Sequence, residues 1–218
     1  MIIAVIPVKA LENGKSRLSV VLDRQERVTL IDHLFRHTLA VLAETPHIAQ
    51  TMVISPDPRV LEMARQQGAY ALVEAPVDPG ADQLNAALAQ AARQAAVRGA
   101  SSLLILPADL PFVAAADIQQ MLDTIQPDHI AICPDQHQQG TNALLLTPPQ
   151  PFSFHYGPDS FHLHQQEALQ QGRGCVVVQA KGLQFDLDTV ADLEAYRDQQ
   201  AAPLAPDVTT CENRSDTT

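Results

Sequence analysis

Short apolar runs alternate along this chain with longer amphipathic stretches, and this alternation constrains the fold more than any other feature. Residues 2–6 (IIAVI) form the first run, which ends at Pro7 and is typical of a strand buried on both faces. Residues 24–42 then place apolar side chains at three-to-four spacing behind Asp23, a candidate N-cap, which predicts an amphipathic helix. Continued alternation predicts an α/β fold with a central, mostly parallel mixed sheet flanked by helices.

The later elements follow the same rhythm. Further strands are predicted at residues 51–55, 70–73, 102–106, 129–133, 142–146, 175–178 and 183–187. Further helices are predicted at residues 57–67, 82–98, 117–125, 160–171 and 190–199, and residues 8–22 are predicted to be a loop. The chain has 218 residues, which suits one domain of this class over residues 1–200. Residues 201–218 have little apolar content, and we expect a disordered tail.

Composition excludes several functional classes. The net charge is −11 from 14 basic and 25 acidic side chains, which disfavours binding to a nucleic-acid backbone. No apolar stretch reaches the 18 residues of a membrane span, and the first ten residues lack the basic lead-in of a signal peptide, so we expect a cytoplasmic protein with no membrane partner. Three cysteines without a CxxC pair predict neither a disulfide framework nor a zinc knuckle.

Positive charge is concentrated directly after the first strand. Two of the three lysines, Lys9 and Lys15, lie here with Arg17, at the strand end where open α/β sheets hold their ligands. The segment is not a Walker A loop, because Lys9 stands where that motif has a glycine. No G-x-G-x-x-G follows the strand, which disfavours a dinucleotide-binding domain. We predict a small anionic ligand here, with a solvated basic loop as the alternative.

Carboxylates follow two other predicted strands. Asp109 lies between Pro107 and Pro111 directly after a buried strand, in a position typical of functional loop residues. Asp186 and Asp188 lie two residues apart on a predicted strand, so their side chains should share a face and repel each other. A divalent metal shared with Asp109 would remove that repulsion. Capping of the last helix is the alternative for this segment.

A second candidate anion site lies at the predicted start of the helix at residue 160. Residues 157–160 (GPDS) offer backbone N–H groups and the Ser160 hydroxyl to an anion, and Thr141 could add a second hydroxyl. The histidines between residues 155 and 164 lack a carboxylate or cysteine at zinc-ligand spacing. We therefore expect structural or substrate-facing histidines there.

In order along the chain, these motifs resemble the CofC-type guanylyltransferases of coenzyme F-420 biosynthesis. The resemblance rests on IPVK, KSRLS, LPADLP, GTNALLL, FHYGPDSFHLHQQEA and FDLDTVADL, and it extends to about residue 196. Related nucleotidyltransferases share the lysine segment and the DxDT end. The GTN and YGPDS segments are therefore the ones that favour the CofC type over those relatives. The resemblance implies a single-domain nucleotidyltransferase with a GT-A-like, Rossmann-like fold.

The resemblance also implies a reaction: transfer of GMP from GTP to the phosphate of a three-carbon phospho-acid, with release of diphosphate. Phosphoenolpyruvate is expected ahead of 2-phospho-L-lactate and 3-phospho-D-glycerate, and the product would pass to a downstream transferase. The family often has GLNAAL where this chain has Gln83 in place of the glycine. The implied residues are Lys9, Lys15, Arg17 and Asp109 for catalysis; Pro7, Val8, Lys9, Lys15 and Asn85 for the nucleotide; Thr141, Gly157 and Ser160 for the phospho-acid; and Asp109, Asp186 and Asp188 for Mg²⁺.

The sequence leaves two alternatives open. One is a related cytidylyl- or molybdopterin-nucleotide transferase, and the other is an inactive module that binds GTP, which the retained lysines and aspartates argue against. A substrate phosphate, with a second pKa near 6, is already an anionic nucleophile at neutral pH and needs no general base. This agrees with the absence of a recognisable Ser/His or Cys/His motif. A homodimer is also left open.

Overall fold

The computed structural model describes residues 1–201, and a seven-stranded mixed sheet forms its centre. The strands are β1 (Ile2–Pro7), β2 (Ile48–Ser55), β3 (Tyr70–Val73), β4 (Ser102–Ile105), β5 (His129–Pro134), β6 (Thr141–Thr147) and β7 (Gly174–Val177). Their order across the sheet is β3-β2-β1-β4-β6-β5-β7. Only β6 runs against its neighbours, β4 and β5, among these strands. The predicted α/β class with a mostly parallel sheet is confirmed.

Helices cover both faces of the sheet. They are α1 (Arg24–Glu44), α2 (Pro58–Gln66), α3 (Gln83–Val97), α4 (Ala115–Leu122), α5 (Ser160–Gln170), α6 (Lys181–Gln184) and α7 (Val190–Ala201). Alternate residues of β1 enter different cores: Ala4 packs in the core formed with α1, α2 and α4, and Ile3 in the one formed with α3 and α5. Burial on both faces explains the continuous apolar runs. Within residues 1–201, no helix is both long and apolar enough to cross a membrane.

Aspartates are the N-caps of the three helices that follow β1, β2 and β3 in the chain. Asp23 caps α1 as predicted, in a capping box: its side chain accepts from the Glu26 N–H, and the Glu26 carboxylate accepts from the Asp23 N–H. Asp57 caps α2 and Asp82 caps α3 by the same type of side-chain bond. Each cap satisfies N–H groups that have no partner inside the helix, so these helix starts could be read from the sequence.

Two local predictions are wrong. Residues 183–187 do not form a strand, because the N–H groups of Leu183 and Gln184 donate to the Ala180 carbonyl and close a helical turn, α6, which packs against β5 and β6; an extended segment follows it. Leu183 and Leu187 are buried, and the Leu187 N–H donates to the carbonyl oxygen of Asp109 at 3.0 Å. The predicted loop at 8–22 contains two short 3-10 helices, Leu11–Asn13 and Ser16–Val20. The predicted tail lies, from residue 202 onward, outside the described residues.

The carboxyl ends of β1, β2, β3 and β4 lie side by side, and together they form one edge of the sheet, the carboxyl edge. The Val8 N–H donates to the Ile54 carbonyl at 3.0 Å, and the Glu74 N–H donates to the Ser55 carbonyl at 3.1 Å. On the other side of β1, the Leu106 N–H donates to the Val5 carbonyl at 3.0 Å. The segments that leave these strands therefore start side by side, at the carboxyl edge where α/β sheets form their ligand crevice.

Candidate active site

A cavity of about 530 Å³ lies at this carboxyl edge. Each of the four strands contributes to its lining through the residues that follow it: Val8 and Lys9 after β1, Pro56 after β2, Glu74 after β3 and Asp109 after β4. The lysine loop (residues 8–22) adds Gly14, Lys15 and Arg17, and α3 adds Gln83, Leu84 and Ala87. This volume is within the range of small-molecule and cofactor sites.

Beside this cavity, Lys15 bridges two carboxylates that are far from it in the sequence. Its Nζ atom lies 2.7 Å from Asp109 Oδ2 and 2.7 Å from Asp188 Oδ1, and its side chain is only 7% exposed. Burial lowers the pKa of Lys15, but attraction to Asp109 and Asp188 outweighs it, so the pKa is raised overall. Lys15 therefore remains a cation, and it connects the segments that follow β1, β4 and α6.

The backbone of the lysine loop is arranged to place this ammonium group. Lys15 has φ 50° and ψ 40°, a left-handed conformation that costs a non-glycine residue about 1 kcal/mol. Gly14 precedes it where a Cβ atom would lie 2.5 Å from Ile31 Cδ1, so a larger residue would require the Ile31 side chain to move. A strained backbone of this kind persists only where the surrounding contacts hold it in place. Such residues are concentrated at functional sites.

Asp186 adds a third carboxylate. Burial is the largest cause of a raised pKa at Asp186, and the charge of Asp109 raises this pKa further. A hydrogen bond from Asn142 opposes the shift. Asn142 Nδ2 lies 3.3 Å from Asp186 Oδ1. Asp188 differs: burial would raise its pKa, but Lys15 lowers it more strongly, and the result is a lowered pKa. The site thus contains one carboxylate that is paired with Lys15 and one that is repelled by its neighbours.

The carboxylates suit a Mg²⁺ ion that arrives with a substrate. No three His, Cys, Asp or Glu side chains within residues 1–201 form a ready-made metal site, and Lys15 occupies the space between Asp109 and Asp188. Proteins usually bind Mg²⁺ through one or two carboxylates together with substrate phosphates. A cation would also relieve the repulsion at Asp186. The assignment of Asp109, Asp186 and Asp188 to Mg²⁺ stays a prediction.

The predicted phospho-acid residues form a second group near α5. The Ser160 N–H donates to the Gly157 carbonyl at 3.2 Å, and the N–H of Phe161 donates to Gln139 beside the start of β6, which brings α5 close to Thr141. Thr141 and Ser160 are mostly buried, at 6% and 2% exposure. None of these residues lines the 530 Å³ cavity. Their assignment to the phospho-acid stays a prediction.

His164 determines which way the Thr141 hydroxyl can point its proton. His164 Nε2 accepts the backbone N–H of His155 at 3.0 Å, so in the neutral ring the proton lies on Nδ1. Nδ1 is 3.0 Å from Thr141 Oγ1 and must donate to it. Burial lowers the pKa of His164 to about 3, which keeps the ring neutral. The Thr141 hydroxyl is then left as a donor for an acceptor such as an anion.

Asn85 is engaged elsewhere. Its Nδ2 atom lies 2.7 Å from Asp82 Oδ2 and 2.9 Å from the Tyr156 carbonyl, and its Oδ1 accepts the Tyr156 N–H at 2.8 Å. Asn85 does not line the cavity, whereas its neighbour Gln83 does. In this structure Asn85 connects the start of α3 to the segment that precedes α5.

Nearly the whole of the described chain is similar in sequence to one protein family. The sequence profile described as "Guanylyl transferase CofC like" matches residues 2–196. The chain belongs to this family. A phosphoenolpyruvate guanylyltransferase of Sphaerobacter thermophilus is 41% identical over 192 residues, which are 88% of this chain and 90% of that protein. One of Rubrobacter xylanophilus is 42% identical over 193 residues, covering 88% and 91%.

A solved structure supports the fold of this CofC-like chain. A nucleotidyl transferase from Methanothermobacter thermautotrophicus superposes with a TM-score of 0.63, covers 91% of this chain and 97% of its own, and shares 16% identity. At this identity the match concerns the fold alone. Together with the family match, it confirms the predicted nucleotidyltransferase architecture.

The structure also shows which predicted residues of this CofC-like protein come together. Seven of them line the cavity: Pro7, Val8, Lys9, Lys15, Arg17, Asp109 and Asp188. Arg17 Nη1 is 3.6 Å from Asp188 Oδ2 and its side chain is 72% exposed. Sequence reasoning missed Pro56, Glu74 and Leu84. The signal for the first two was their position directly after β2 and β3, at the edge already assigned to the ligand.

Proposed function

We propose that this protein transfers GMP from GTP to the phosphate of phosphoenolpyruvate and releases diphosphate. The observation that carries the proposal is the Lys15 ammonium held between Asp109 and Asp188 at the cavity. It supports a site that collects an anionic ligand and a divalent cation together. The family match and the names of the two curated relatives favour GTP and phosphoenolpyruvate as the substrates.

The proposed step needs no proton transfer. A phosphate oxygen of phosphoenolpyruvate attacks the α-phosphorus of GTP, a new P–O bond forms, and the bond from the α-phosphorus to the oxygen bridging it to the β-phosphorus breaks. Its electron pair leaves with diphosphate. The nucleophile is already ionised near neutral pH because the second phosphate pKa is about 6. The enzyme therefore has to bring two anions together and stabilise charge on the transferred and leaving groups.

The chain's own residues can carry out that task at one edge of the sheet. We assign the GTP phosphates to Lys9, Lys15 and Arg17, three cations on one loop that face the cavity. Asp109 and Asp188 position Lys15 through bonds of 2.7 Å. Positioning of this type is effective because the charges are arranged before the substrate arrives.

Mg²⁺ is part of the proposal. Asp109, Asp186 and Asp188 would hold it, and when bound it neutralises charge on the phosphates. Burial and then repulsion from Asp109 raise the pKa of Asp186, and this supports the role, since a bound cation would relieve the repulsion. Asp186 is the least compensated of the three, because its hydrogen-bond partner, Asn142, is a neutral amide.

The phospho-acid is assigned to Thr141, Gly157 and Ser160. The hydroxyl orientation at Thr141 supports this assignment, because a threonine that accepts from His164 presents its proton to an anion. The buried Ser160 at the start of α5 adds a hydroxyl near the positive end of a helix dipole. We further propose that the enzyme acts in the cytoplasm, since its charged substrates cross bilayers poorly, and that its product passes to a downstream transferase.

The test is diphosphate release with GTP and Mg²⁺. Phosphoenolpyruvate, 2-phospho-L-lactate and 3-phospho-D-glycerate are supplied in parallel with an acceptor-free control, and the guanylylated product is identified by mass spectrometry. We expect release and product with phosphoenolpyruvate only. Product with one of the other two acids would show that this acid, and not phosphoenolpyruvate, is the substrate. Absence of product with all three, with the product-consuming transferase present, would overturn the proposed reaction.

A further inference from the structure

Glu74 is a carboxylate in the cavity that the proposed chemistry does not use. It follows β3 and lines the cavity with Pro56, Gln83 and Leu84. Its Oε1 atom is shielded from solvent and has no hydrogen-bond partner among residues 1–201. A buried carboxylate oxygen without a donor costs free energy that a ligand can recover. Glu74 is therefore poised to accept hydrogen bonds from something that enters the cavity.

The backbone holds Glu74 in place for such a contact. The side chain of Gln90, on α3, brackets it: Gln90 Nε2 donates to the Val73 carbonyl at 2.9 Å, and Gln90 Oε1 accepts the Ala75 N–H at 2.9 Å. The Glu74 N–H itself donates to the Ser55 carbonyl at 3.1 Å. Both neighbours of Glu74 are thus tied to α3, and its own backbone is tied to β2.

The order of the strands places different charged groups at the two ends of the cavity. Lys9 and Asp109 follow β1 and β4, while Glu74 follows β3, and the order is β3-β2-β1-β4. Glu74 and Asp109 are therefore three strand spacings apart, about 14 Å. One cavity extends from the lysines to Glu74, so a nucleotide whose phosphates lie at the lysines would have room for its base on the side of Glu74. The carboxylate would repel phosphates, so it fits the end of the ligand that carries N–H donors.

Guanine has the edge that a carboxylate recognises. Its N1–H and its 2-amino group are adjacent donors, which the two oxygens of one carboxylate can accept together. Adenine and cytosine present an unprotonated ring nitrogen at the corresponding position, and uracil flanks its N–H with two carbonyl oxygens, so none of them offers this pair of donors. We propose that Glu74 selects guanine by accepting from N1–H and the 2-amino group; this inference rests on the proposed function.

Xanthine provides a test that a structural role cannot mimic. Xanthine keeps N1–H but has a carbonyl oxygen at position 2, which a carboxylate repels and an amide N–H can bind. Glu74→Gln should therefore lower kcat/KM for GTP about ten- to a hundredfold and raise it for XTP, so that the order of preference reverses. ITP, which lacks the 2-amino group, should be a poorer substrate than GTP for the wild type and about equal to GTP for the variant.

The measurements are kcat/KM with phosphoenolpyruvate and the binding of GTP, XTP and ITP by calorimetry without the acid. Glu62→Gln, an exposed position on α2, is the matched control and should behave as the wild type. Circular dichroism checks that both variants are folded. If the wild type binds GTP but forms no product, the proposed function fails while the binding order still decides the role of Glu74.

Two results would overturn the inference. One is a folded Glu74→Gln protein that still prefers GTP to XTP by the wild-type ratio. The other is a loss of discrimination between GTP and dGTP with the base preference unchanged, which would assign Glu74 to the ribose hydroxyls. A reversal toward XTP supports the base contact directly.

Discussion

Lys15 Nζ lies 2.7 Å from Asp109 Oδ2 although 94 positions separate the two residues in the chain. The contact joins the loop after β1 to the segment after β4, and these two strands are neighbours in the sheet. The same ammonium group contacts Asp188 at 2.7 Å. One buried cation therefore holds together the three segments that carry most of the proposed catalytic groups.

Replacement of Lys15 by methionine should destabilise the protein. Removing one partner of a buried ion pair costs about 3–5 kcal/mol, but Asp109 and Asp188 are 30% and 42% exposed, so solvent reduces the effect. We expect the free energy of unfolding in urea to fall by about 1–3 kcal/mol at pH 7.5. The exposed Lys181 provides the control: Lys181→Met should change it by less than about 0.5 kcal/mol. Equal losses in the two variants would contradict the bridging role.

Asp109→Asn should preserve the fold and lose activity. The amide keeps the size of the side chain and can still accept from Lys15, but it removes a negative charge from the proposed Mg²⁺ site. We expect turnover to fall by about 10²–10⁴, the range for charge-stabilising catalytic groups. The assay is diphosphate release at saturating GTP, with circular dichroism as the check on folding. A wild-type rate would remove Asp109 from the metal assignment.

Asp186→Asn should make the protein more stable and inactive. The pKa of Asp186 is raised by burial and by Asp109, so the folded state binds this proton more tightly than the unfolded state. Stability is therefore lost as pH rises from 3.8 through the raised pKa, and ionised Asp186 opposes folding at neutral pH. Without Mg²⁺ we expect Tm to rise by about 1–4 °C.

Two comparisons test this expectation. Mg²⁺ with GTP should raise the Tm of the wild type more than that of Asp186→Asn, because the variant lacks one of the proposed ligands. Asp198→Asn, at an exposed position on α7, should leave both Tm values unchanged. A lower Tm for Asp186→Asn than for the wild type would show that the carboxylate stabilises the fold.

Much of the fold could be predicted because local signals agreed with tertiary packing. Asp23 and the apolar spacing after it predicted α1, and the continuous apolar runs predicted strands buried on both faces. The error at 183–187 has a different cause. Leu183 and Leu187 are apolar and buried as a strand would be, but Leu183 belongs to a helical turn that packs against β5 and β6, and this packing depends on contacts between residues distant in sequence.

The site could be predicted in part for a related reason. Lys15 and Asp109 were identified because loops after parallel strands meet at one edge of the sheet. Their shared ion pair with Asp188 could not be predicted, because it depends on how α6 returns the chain to this edge. Glu74 was missed because a glutamate after a short strand is common on protein surfaces. Only its buried, unsatisfied oxygen, as seen within residues 1–201, distinguishes it.

Substitutions at His164 can separate its two hydrogen bonds. An asparagine amide reaches the position of Nδ1 and can still donate to Thr141, whereas a glutamine amide reaches Nε2 and can still accept from the His155 N–H. Thr141→Val should raise KM for phosphoenolpyruvate about tenfold or more, since a hydrogen bond to a charged group contributes about 1.5–3 kcal/mol. KM for GTP should not change. His164→Gln should behave like Thr141→Val, and His164→Asn should retain more of the wild-type KM; the reverse order would contradict the orientation inferred for the Thr141 hydroxyl.

His164 should also make the protein sensitive to acid. Burial, with a smaller contribution from the charge of His155, lowers the pKa of His164 from 6.5 to about 3, so between these values the unfolded state binds a proton that the folded state excludes. Stability therefore falls as pH falls below 6.5, by about 1.4 kcal/mol per pH unit from this group. Between pH 7.5 and pH 5.0 we expect the free energy of unfolding in urea to drop by about 2 kcal/mol more in the wild type than in His164→Asn. The exposed His33 on α1 supplies the control, and His33→Asn should keep the full wild-type drop. An equal drop in His164→Asn would show that the acid sensitivity arises elsewhere.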